Sequence, residues 1–450
     1  MKLLVVIVVV LSLWKEVIIQ QGKSVITKDA IAAVNHAHLH VKVKRFKKRL
    51  SEDRKLCYDE NDEESIANGL YSRLPYRKEA RTKSNDYYEN RNIRSITTHY
   101  EFGFEQDHVL KKYSGWKVDE KPLPRENASC CPYSITFVSQ MSVQRLFYLP
   151  YVIQKWEGPI SIALFVHKSE LNQTEQYIQD AHFPGRVRLI LYIVDITSKP
   201  DCVIVRNSTY GGCFPRTVYP INRLRNLAIA DVTTSHFVLF DMDVWPSSDT
   251  YSILLRLPKR YYTNPYNVMI IPAFSLSPAV QQTHKCKSFS ECVSLVSQFN
   301  LTNRANLVEC LNSQNCTGFK NNIVYHKYLP SNWKDLPSSS QYTPLTCIRS
   351  HLLEPYVLVR KWKNLPLFDE RFINYGFNKM QWFENLRYYG YQFSTLSQGY
   401  CVDIPHQPSP FRLDYFKALH REDIGMEDLF YQYIKELREK KDESRTLLCL

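Results

Sequence analysis

Glycine is scarce in this chain of 450 residues, with 13 occurrences, which excludes collagen-like and glycine-rich low-complexity proteins. Beyond the N-terminus there is no apolar run long enough to span a bilayer, which takes about 20 residues. No Cys-x-x-Cys pair occurs among the 12 cysteines, so the usual spacing of a structural zinc site is missing. The hydrophobic content of 44% is enough for one large enzyme domain with appendages, or for two to three domains.

The N-terminus predicts entry into the secretory pathway. Lys2 precedes an apolar run from Leu3 to Trp14, which is the pattern of a signal peptide. The run is short for a membrane span, although Val17 to Ile19 add to it. We therefore predict that residues 1–20 are either a signal anchor or a cleaved signal peptide. The rest of the chain is expected on the lumenal or extracellular side, and it is secreted if the segment is cleaved.

Residues 21–130 lack a sustained core pattern and are predicted to form a stem. The net charge of +13 raises the question of a nucleic-acid partner. However, much of the basic excess lies in this range, for example in the segment Lys42 to Arg49. We interpret it as a solvated basic stem and expect no nucleic-acid partner.

Glycosylation and disulfide patterns agree with a lumenal compartment. The Asn-x-Ser/Thr acceptor pattern occurs at Asn127, Asn172, Asn207, Asn300 and Asn315. Short loops closed by disulfides in an oxidising lumen would explain the close cysteine pairs, with a zinc site as the alternative. These pairs are Cys202/Cys213, Cys286/Cys292 and Cys310/Cys316.

From residue 135 onward the pattern predicts an α/β fold. Apolar runs at Ile160–Val166 and Val187–Val194 are typical of buried strands, and a polar helical segment separates them. Alternation of strand and helix is typical of a mostly parallel sheet flanked by helices. The range 280–345 is rich in Cys, Asn and Ser and predicts a disulfide-tied insertion. Residues 421–450 are predicted to carry a charged C-terminal helix.

A pair of aspartates follows the apolar run Phe237–Phe240. If the strand continues to Val244, Asp241 and Asp243 point to the same face at the end of a buried strand. In open α/β sheets ligands bind at that end. Two carboxylates placed together need a positive charge between them, and a divalent cation that accompanies a nucleotide diphosphate would supply it. The alternative is that the two aspartates only cap the next turn.

A helix predicted over Tyr219–Ala230 leads into this strand. Its Arg225 and Asn226 could approach the same pocket, where a guanidinium group is well suited to phosphate. Exposure of these side chains on the helix surface is the alternative interpretation.

The order of these segments resembles that of glycosyltransferase family 49, which includes the second catalytic domain of LARGE-type enzymes and a β-1,4-glucuronyltransferase. The resemblance covers about Ile135 to Pro410, and no single segment of it is specific. The matching segments are Tyr219-Pro with Leu224-Arg-Asn-Leu-Ala228, Asp241-Met-Asp243, Ile271-Pro-Ala-Phe274, Glu354-Pro-Tyr356, Asp369-Glu-Arg-Phe with Tyr375-Gly-Phe-Asn-Lys379, and Pro405-His406 with Pro408-Ser409.

The resemblance implies a GT-A fold for residues 131–420 and a type II Golgi membrane protein with a lumenal catalytic domain. It also implies a UDP-sugar donor, a glycan acceptor on a glycoprotein, Mn²⁺ or another divalent cation, and transfer with inversion. Glucuronate is the expected sugar. Another UDP-sugar, such as one carrying N-acetylglucosamine or xylose, and a non-catalytic carbohydrate-binding role are the alternatives.

The resemblance also implies roles for single residues. Asp241, Asp243 and His406 are the expected metal ligands. Inversion requires a carboxylate that takes the acceptor proton, for which the candidates are Asp369, which we prefer, and Glu370. The alternative for either acid is a salt bridge with Arg371. The expected donor contacts are Arg225, Asn226 and Lys379, with Lys379 facing the sugar carboxylate.

The chain departs from the family pattern at two positions. Ser275 stands where the family usually has Glu, and Asn374 stands before Tyr375-Gly376 where Gly is frequent. Both differences bear on the identity of the sugar more than on the fold or the metal.

Overall fold

The computed structural model describes residues 101–114, 134–197, 200–206, 211–320, 324–407, 409–419, 425–441 and 445–449. The predicted signal segment 1–20, most of the predicted stem 21–130, and the acceptor sites Asn127 and Asn207 lie outside these residues. Within them, no helix is both long enough and apolar enough to cross a membrane.

Sixteen strands are found in the described residues. They are β1 (Glu101–Glu105), β2 (His108–Ser114), β3 (Ile135–Ser142), β4 (Ile160–His167), β5 (Val187–Val194), β6 (Cys202–Arg206), β7 (Gly211–Pro215), β8 (His236–Leu239), β9 (Val244–Pro246), β10 (Asn267–Ile271), β11 (Ala273–Leu276), β12 (Cys316–Gly318), β13 (Tyr342–Pro344), β14 (Tyr356–Arg360), β15 (Gln392–Leu396) and β16 (Cys401–Asp403).

Eleven α-helices accompany the strands in the same part of the chain. They are α1 (Leu149–Lys155), α2 (Leu171–Ala181), α3 (Ile221–Ala230), α4 (Thr250–Leu255), α5 (Lys259–Thr263), α6 (Pro278–Thr283), α7 (Phe289–Gln298), α8 (Arg304–Asn312), α9 (Asn378–Tyr388), α10 (Pro410–Leu419) and α11 (Met426–Lys441).

The predicted α/β architecture is confirmed, with a nine-stranded sheet at its centre. The strand order is β13-β15-β10-β14-β8-β3-β4-β5-β2. The strands β5, β4, β3 and β8 are parallel, and β14 runs antiparallel to β8 and β10. Phe137 and Val138, neighbours on β3, belong to hydrophobic cores on opposite faces of the sheet. Helices α1 and α2 cover one face, and α3 and α9 cover the other. This is the GT-A type arrangement that the family resemblance implies.

The sheet begins earlier in the chain than the predicted boundary at residue 130. The strand β2, within the range predicted as stem, pairs antiparallel with β5 over seven residues, from His108 opposite Val194 to Ser114 opposite Arg188. The strand β1 pairs with β6 in a separate three-stranded sheet. Residues 101–114 were difficult to assign from sequence because their side chains are mostly exposed on this edge.

The expected continuation of a strand through the aspartates to Val244 was wrong, and a second apolar run is also interrupted. The strand that carries the aspartates ends at Leu239 rather than continuing to Val244, and the chain then makes a turn into β9. The run Val268–Phe274 is split at Pro272, because proline has no amide hydrogen for the sheet ladder. The two halves, β10 and β11, lie in different sheets.

A four-stranded sheet of order β12-β11-β16-β9 lies next to the central sheet. In it, β16 pairs antiparallel with β9, so that Asp403 stands opposite Val244. The backbone amide of Ile404 also donates to the carbonyl oxygen of Asp243 at 2.8 Å. This small sheet therefore brings the segment that carries His406 against the aspartate turn.

The predicted disulfide-tied insertion is confirmed. Disulfides join Cys286 to Cys292 and Cys310 to Cys316, beside the helices α7 and α8. The third close pair, Cys202 and Cys213, also forms a disulfide and staples β6 to β7. Sequence reasoning did not identify the pair Cys347–Cys449, which is separated by 102 residues.

The predicted C-terminal helix is α11, and it packs on the domain through an apolar face. Its Phe430 and Ile434 share a hydrophobic cluster with Met380 and Tyr388 of α9. After α11, the amide of Thr446 donates to the carbonyl oxygen of Arg387 at 2.9 Å. The C-terminal residues are thereby attached to the helix that carries Lys379.

Candidate active site

The two aspartates lie in a hydrogen-bonded turn between two sheets. The amide of Val244 donates to the carbonyl oxygen of Asp241 at 3.0 Å, which closes the turn directly after β8. The turn brings Asp241 and Asp243 together although they do not lie on one strand face. Their side chains are 24% and 10% exposed, so both carboxylates are largely withdrawn from water.

Asp241 is held by two cations from different helices. Lys379 of α9 donates to Oδ2 at 2.6 Å, and Arg225 of α3 donates to Oδ1 at 3.1 Å. The hydroxyl of Tyr356 also donates to Oδ2 at 3.3 Å. Burial alone would raise the pKa of Asp241, but Lys379 and Arg225 outweigh it and leave the pKa below its ordinary value. The predicted donor residues Lys379 and Arg225 therefore reach the predicted metal ligand.

Asp243 is held by a second, separate pair of groups. Arg145 donates to Oδ2 at 2.8 Å, and His406 Nε2 lies 2.8 Å from the same oxygen. Burial would raise the pKa of Asp243, but the hydrogen bond from His406 and the charge of Arg145 hold it well below its usual range. In turn, burial lowers and the bond to Asp243 raises the pKa of His406, with a net rise above 6.5.

The side chains of Asp241, Asp243 and His406 fit a hard divalent cation by their chemistry. Two carboxylates and an imidazole form a donor set that Mn²⁺ accepts. His406 Nδ1 lies 2.8 Å from the carbonyl oxygen of Gln407, which can only accept, so Nδ1 carries a proton. Nε2 donates a second proton to Asp243 and is the nitrogen that would bind a metal after losing that proton. As arranged, no group of three or more His, Cys, Asp or Glu side chains in the described ranges is positioned to hold a metal ion. Cations and a proton on His406 neutralise the carboxylates instead.

The two candidate bases accept hydrogen bonds from different arginines. Asp369 accepts from Arg371 at 2.6 Å, and Arg371 also donates to Glu436 of α11 at 2.9 Å. Glu370 accepts from Arg223 of α3 at 2.8 Å. The salt bridge with Arg371, which we weighed as the alternative for one of these acids, is thus present at Asp369. The role of either acid as a base stays a prediction.

Asn226 holds the loop that precedes these acids. Its amide nitrogen donates to the carbonyl oxygen of Phe368 at 2.9 Å and to Glu370 at 3.1 Å, and its oxygen accepts from the amide of Phe368 at 3.0 Å. All of these contacts are made to the backbone and a side chain of the loop that contains Phe368 and Glu370. The structure therefore does not bring Asn226 to Asp241, and its predicted contact with the donor stays untested.

Four site residues were missed by the sequence analysis. Arg145, Glu354, Tyr356 and Asp403 come from separate elements, and each interacts with the aspartates or with Lys379. Glu354 and Tyr356 stood in a segment that carries the family resemblance, which was the available signal. Burial and the nearby charge of Asp243 raise the pKa of Asp403 to about 7. Asp403 is therefore a third carboxyl group near the turn.

Both residues at which the chain departs from the family pattern, Ser275 and Asn374, have defined surroundings in the structure. Ser275 is buried in β11 opposite Thr317. Asn374 adopts a positive φ of 57° and its side chain accepts from the amide of Tyr219 at 2.6 Å. Asparagine tolerates this backbone region better than most residues, which explains how it replaces glycine here.

Three of the predicted glycosylation sites lie in the described residues. Asn172 and Asn300 are exposed, whereas Asn315 is half-buried beside the disulfide-bonded Cys316. Glycosylation at these positions stays a prediction.

A family model described as "Glycosyl-transferase for dystroglycan" matches residues 134–190 and 197–441. Among curated relatives, the mouse xylosyl- and glucuronyltransferase LARGE1 is 25% identical over 305 residues, covering 67% of this chain and 35% of the relative. Mouse LARGE2 is 26% identical over 301 residues, covering 64% and 36%. The glycosyltransferase-like protein gnt14 of Dictyostelium discoideum is 25% identical over 340 residues, covering 73% and 47%. The chain spans about a third of the length of the LARGE proteins it matches.

Two solved structures show a partial likeness to this chain. GalNAc-T7 with UDP, GalNAc and Mn²⁺ matches with a TM-score of 0.37 and 10% identity, covering 71% of this chain and 59% of that one. TarS 1–349 of S. aureus matches with a TM-score of 0.32 and 10% identity, covering 68% and 71%.

Proposed function

Because the chain belongs to the family of glycosyltransferases whose model it matches, we propose that it transfers a sugar from a UDP-sugar to a glycan acceptor. The observation that carries the proposal is the aspartate turn, in which two buried carboxylates lie among Arg145, Arg225, Lys379 and His406.

The cations around the turn can bind the diphosphate of the donor. Arg145, Arg225 and Lys379 come from three separate elements, and ion pairs with Asp241 and Asp243 hold them in place. Guanidinium and ammonium groups that already face a buried site bind phosphate oxygens strongly and stabilise negative charge on a leaving diphosphate. A divalent cation held by Asp241, Asp243 and His406 would supply further charge neutralisation as a Lewis acid.

Transfer with inversion is the reaction that we propose for this site. An acceptor hydroxyl attacks the anomeric carbon while the bond from that carbon to the diphosphate breaks, and a carboxylate of the chain takes the hydroxyl proton. We further propose Mn²⁺ as the cation and glucuronate as the sugar, since relatives are named xylosyl- and glucuronyltransferases. Xylose or N-acetylglucosamine is the alternative sugar.

A lumenal location in the Golgi follows as a proposal from the compartment signals. The disulfides Cys202–Cys213, Cys286–Cys292 and Cys310–Cys316 support an oxidising compartment. The membrane anchor or cleaved signal at residues 1–20 and the stem after it remain part of this proposal.

The test is transfer from a panel of UDP-sugars with the purified full chain and Mn²⁺. Glucuronate, xylose and N-acetylglucosamine donors are each paired with xylose-terminated and glucuronate-terminated oligosaccharides, and product is detected by mass spectrometry. We expect product from the glucuronate donor. If no pairing yields product and UDP with Mn²⁺ does not raise the melting temperature, the non-catalytic alternative replaces the proposal.

A further inference from the structure

Six carboxyl groups lie near the proposed site, and four of them accept short hydrogen bonds from cationic side chains. Asp241, Asp243, Asp369 and Glu370 each accept from a cationic side chain at 2.6 to 2.8 Å. The fifth, Glu354, has its two ionic neighbours at 3.6 and 3.7 Å, beyond hydrogen-bond distance. The sixth, Asp403, stands opposite Val244 beside the aspartate turn and faces the like charge of Asp243. A group that must accept a proton from a substrate needs a free lone pair, and Glu354 offers one away from the proposed metal ligands.

Glu354 is held in place without being neutralised by a close partner. Its Oε1 lies 3.6 Å from Nε2 of His326, and its Oε2 lies 3.7 Å from Nζ of Lys379. Its backbone amide donates to the carbonyl oxygen of Tyr325 at 2.9 Å, which fixes the chain here. Burial alone would raise the pKa of Glu354, but Lys379 and His326 lower it below its ordinary value. The side chain therefore stays ionised at neutral pH while 19% of it remains exposed.

The buried ring of His326 is a second observation at the same place. Its side chain is 1% exposed, and neither ring nitrogen has a hydrogen-bond partner within the described residues. Burial lowers the pKa of His326, so the ring is neutral, with one N–H to donate. A small approach of Glu354 would satisfy that nitrogen, so His326 is suited to steady the carboxylate from behind.

Glu354 lies at the same edge of the sheet as the aspartate turn. It precedes β14, which is antiparallel to β8, so that the start of β14 meets the end of β8. The ammonium group of Lys379 contacts both Asp241 and Glu354 and links the two carboxylates. A donor whose diphosphate reaches Lys379 would thus have its sugar near Glu354.

Half-buried tyrosines lie near Glu354 and offer a surface for an acceptor sugar. Tyr375 and Tyr415 pack edge to face at 5.5 Å, and Tyr415 lies over Gly376, where an added Cβ would come within 2.7 Å of the ring. Burial and then the charge of Glu354 raise the pKa values of Tyr325 and Tyr375. Rigid aromatic faces with hydroxyl groups are typical of sites that bind polar ligands.

We propose that Glu354 is the general base that activates the acceptor hydroxyl, and this rests on the proposed function. The acceptor oxygen forms its bond to the anomeric carbon of the donor, and the bond from that carbon to the β-phosphate oxygen breaks with its electron pair leaving on UDP. The hydroxyl proton goes to the carboxylate of Glu354. Asp369, the base favoured from sequence, instead positions the loop through Arg371 and Glu436.

The first experiment is the kinetics of Glu354→Gln in the full chain, with the sugar donor and acceptor that the wild-type protein uses. Glutamine keeps the shape but cannot take the proton, so we expect kcat to fall about 100-fold or more. The KM for the donor stays within threefold of the wild-type value. The rise in melting temperature with Mn²⁺ and UDP stays within error of that of the wild-type protein. Glu309→Gln, at an exposed position on α8, is the matched control, and it keeps the wild-type kcat.

Chemical rescue separates a base from a structural residue. In Glu354→Ala, added formate or azide restores part of kcat if the missing group is a base, whereas it restores nothing if the residue only holds Lys379. Wild-type kcat in Glu354→Gln, or loss of Mn²⁺-dependent UDP binding together with loss of kcat and no rescue, would overturn the assignment. Absence of transfer by the wild-type protein contradicts the proposed function itself, which is a different result.

Discussion

Two pairs of acidic residues in this molecule, Asp241 with Asp243 and Asp369 with Glu370, have different surroundings. Asp241 and Asp243 are separated by one residue in a tight turn, and their side chains converge on one buried site with four basic groups around it. Asp369 and Glu370 are adjacent in a loop, and their side chains diverge, one to Arg371 and the other to Arg223.

The two acidic pairs differ in the parts of the molecule from which their basic partners come. The groups that hold the first pair come from helices and loops on several sides, and each presents a charge to the same small volume. The groups that hold the second pair tie a loop to α3 and α11. A salt bridge between elements is a structural contact, whereas cations gathered around paired carboxylates form a site for an anion or a metal.

The largest expected effect is the loss of transfer activity when the first acidic pair is altered. Asp241→Asn or Asp243→Asn removes a charge from the site, and we expect transfer to fall at least ~1000-fold, equivalent to ~4 kcal/mol in the barrier. Circular dichroism and gel filtration should remain as in wild type. Near wild-type transfer by either folded variant would contradict the metal assignment.

The next largest effect should be on stabilisation by the metal, which we expect to depend on the first acidic pair and not on the second. At a free concentration one hundred times its Kd, Mn²⁺ should stabilise the fold by about 2.7 kcal/mol, which a chelator reverses. We expect Asp243→Asn to lose this response, because it loses a ligand, and Glu370→Gln to retain it. Titration of the melting temperature with Mn²⁺ measures both. A retained response in Asp243→Asn would mean that the cation binds elsewhere.

The pH dependence of metal binding should follow His406. Its pKa is raised above 6.5 by the bond to Asp243, so the ion pair stabilises the metal-free fold fully below pH 6.5 and is lost as pH rises through the raised pKa. A metal must displace that proton, so its affinity should strengthen about tenfold per pH unit in this window. Calorimetry at several pH values measures the slope, and His406→Asn should flatten it. An unchanged slope in the variant would exclude His406 as a ligand.

The smallest expected effect concerns the structural pair. Glu436→Gln breaks one arm of the bridge from Arg371 to α11, and both side chains are about a quarter exposed. We expect a loss of about 1 kcal/mol in the free energy of unfolding, measured by urea denaturation. A loss of activity without a loss of stability would show that this bridge belongs to the site.

Local patterns in the sequence predicted much of the fold and part of the site. The strands β4 and β5, the helix α3 and the three close cysteine pairs follow from hydrophobic periodicity and short spacing. The aspartate pair was found because it directly follows an apolar strand. Arg145 could not be found in this way, because its partner is 98 residues away. The sequence indicated the salt bridge between Asp369 and Arg371 as an alternative, but it carried no signal that Glu436, 65 residues away from Arg371, would join it.

The disulfide between Cys347 and Cys449 closes a covalent ring that contains some of the site residues and not others. It closes a ring of chain that contains Glu354, Lys379 and His406, while Asp241 and Asp243 lie outside the ring. A reducing agent would therefore open the ring that carries Glu354, Lys379 and His406, whereas the covalent connectivity around Asp241 and Asp243 does not depend on this bond. Donor and metal binding would then depend on the redox state of the solution. Comparisons of activity therefore require the same thiol concentration throughout purification and assay.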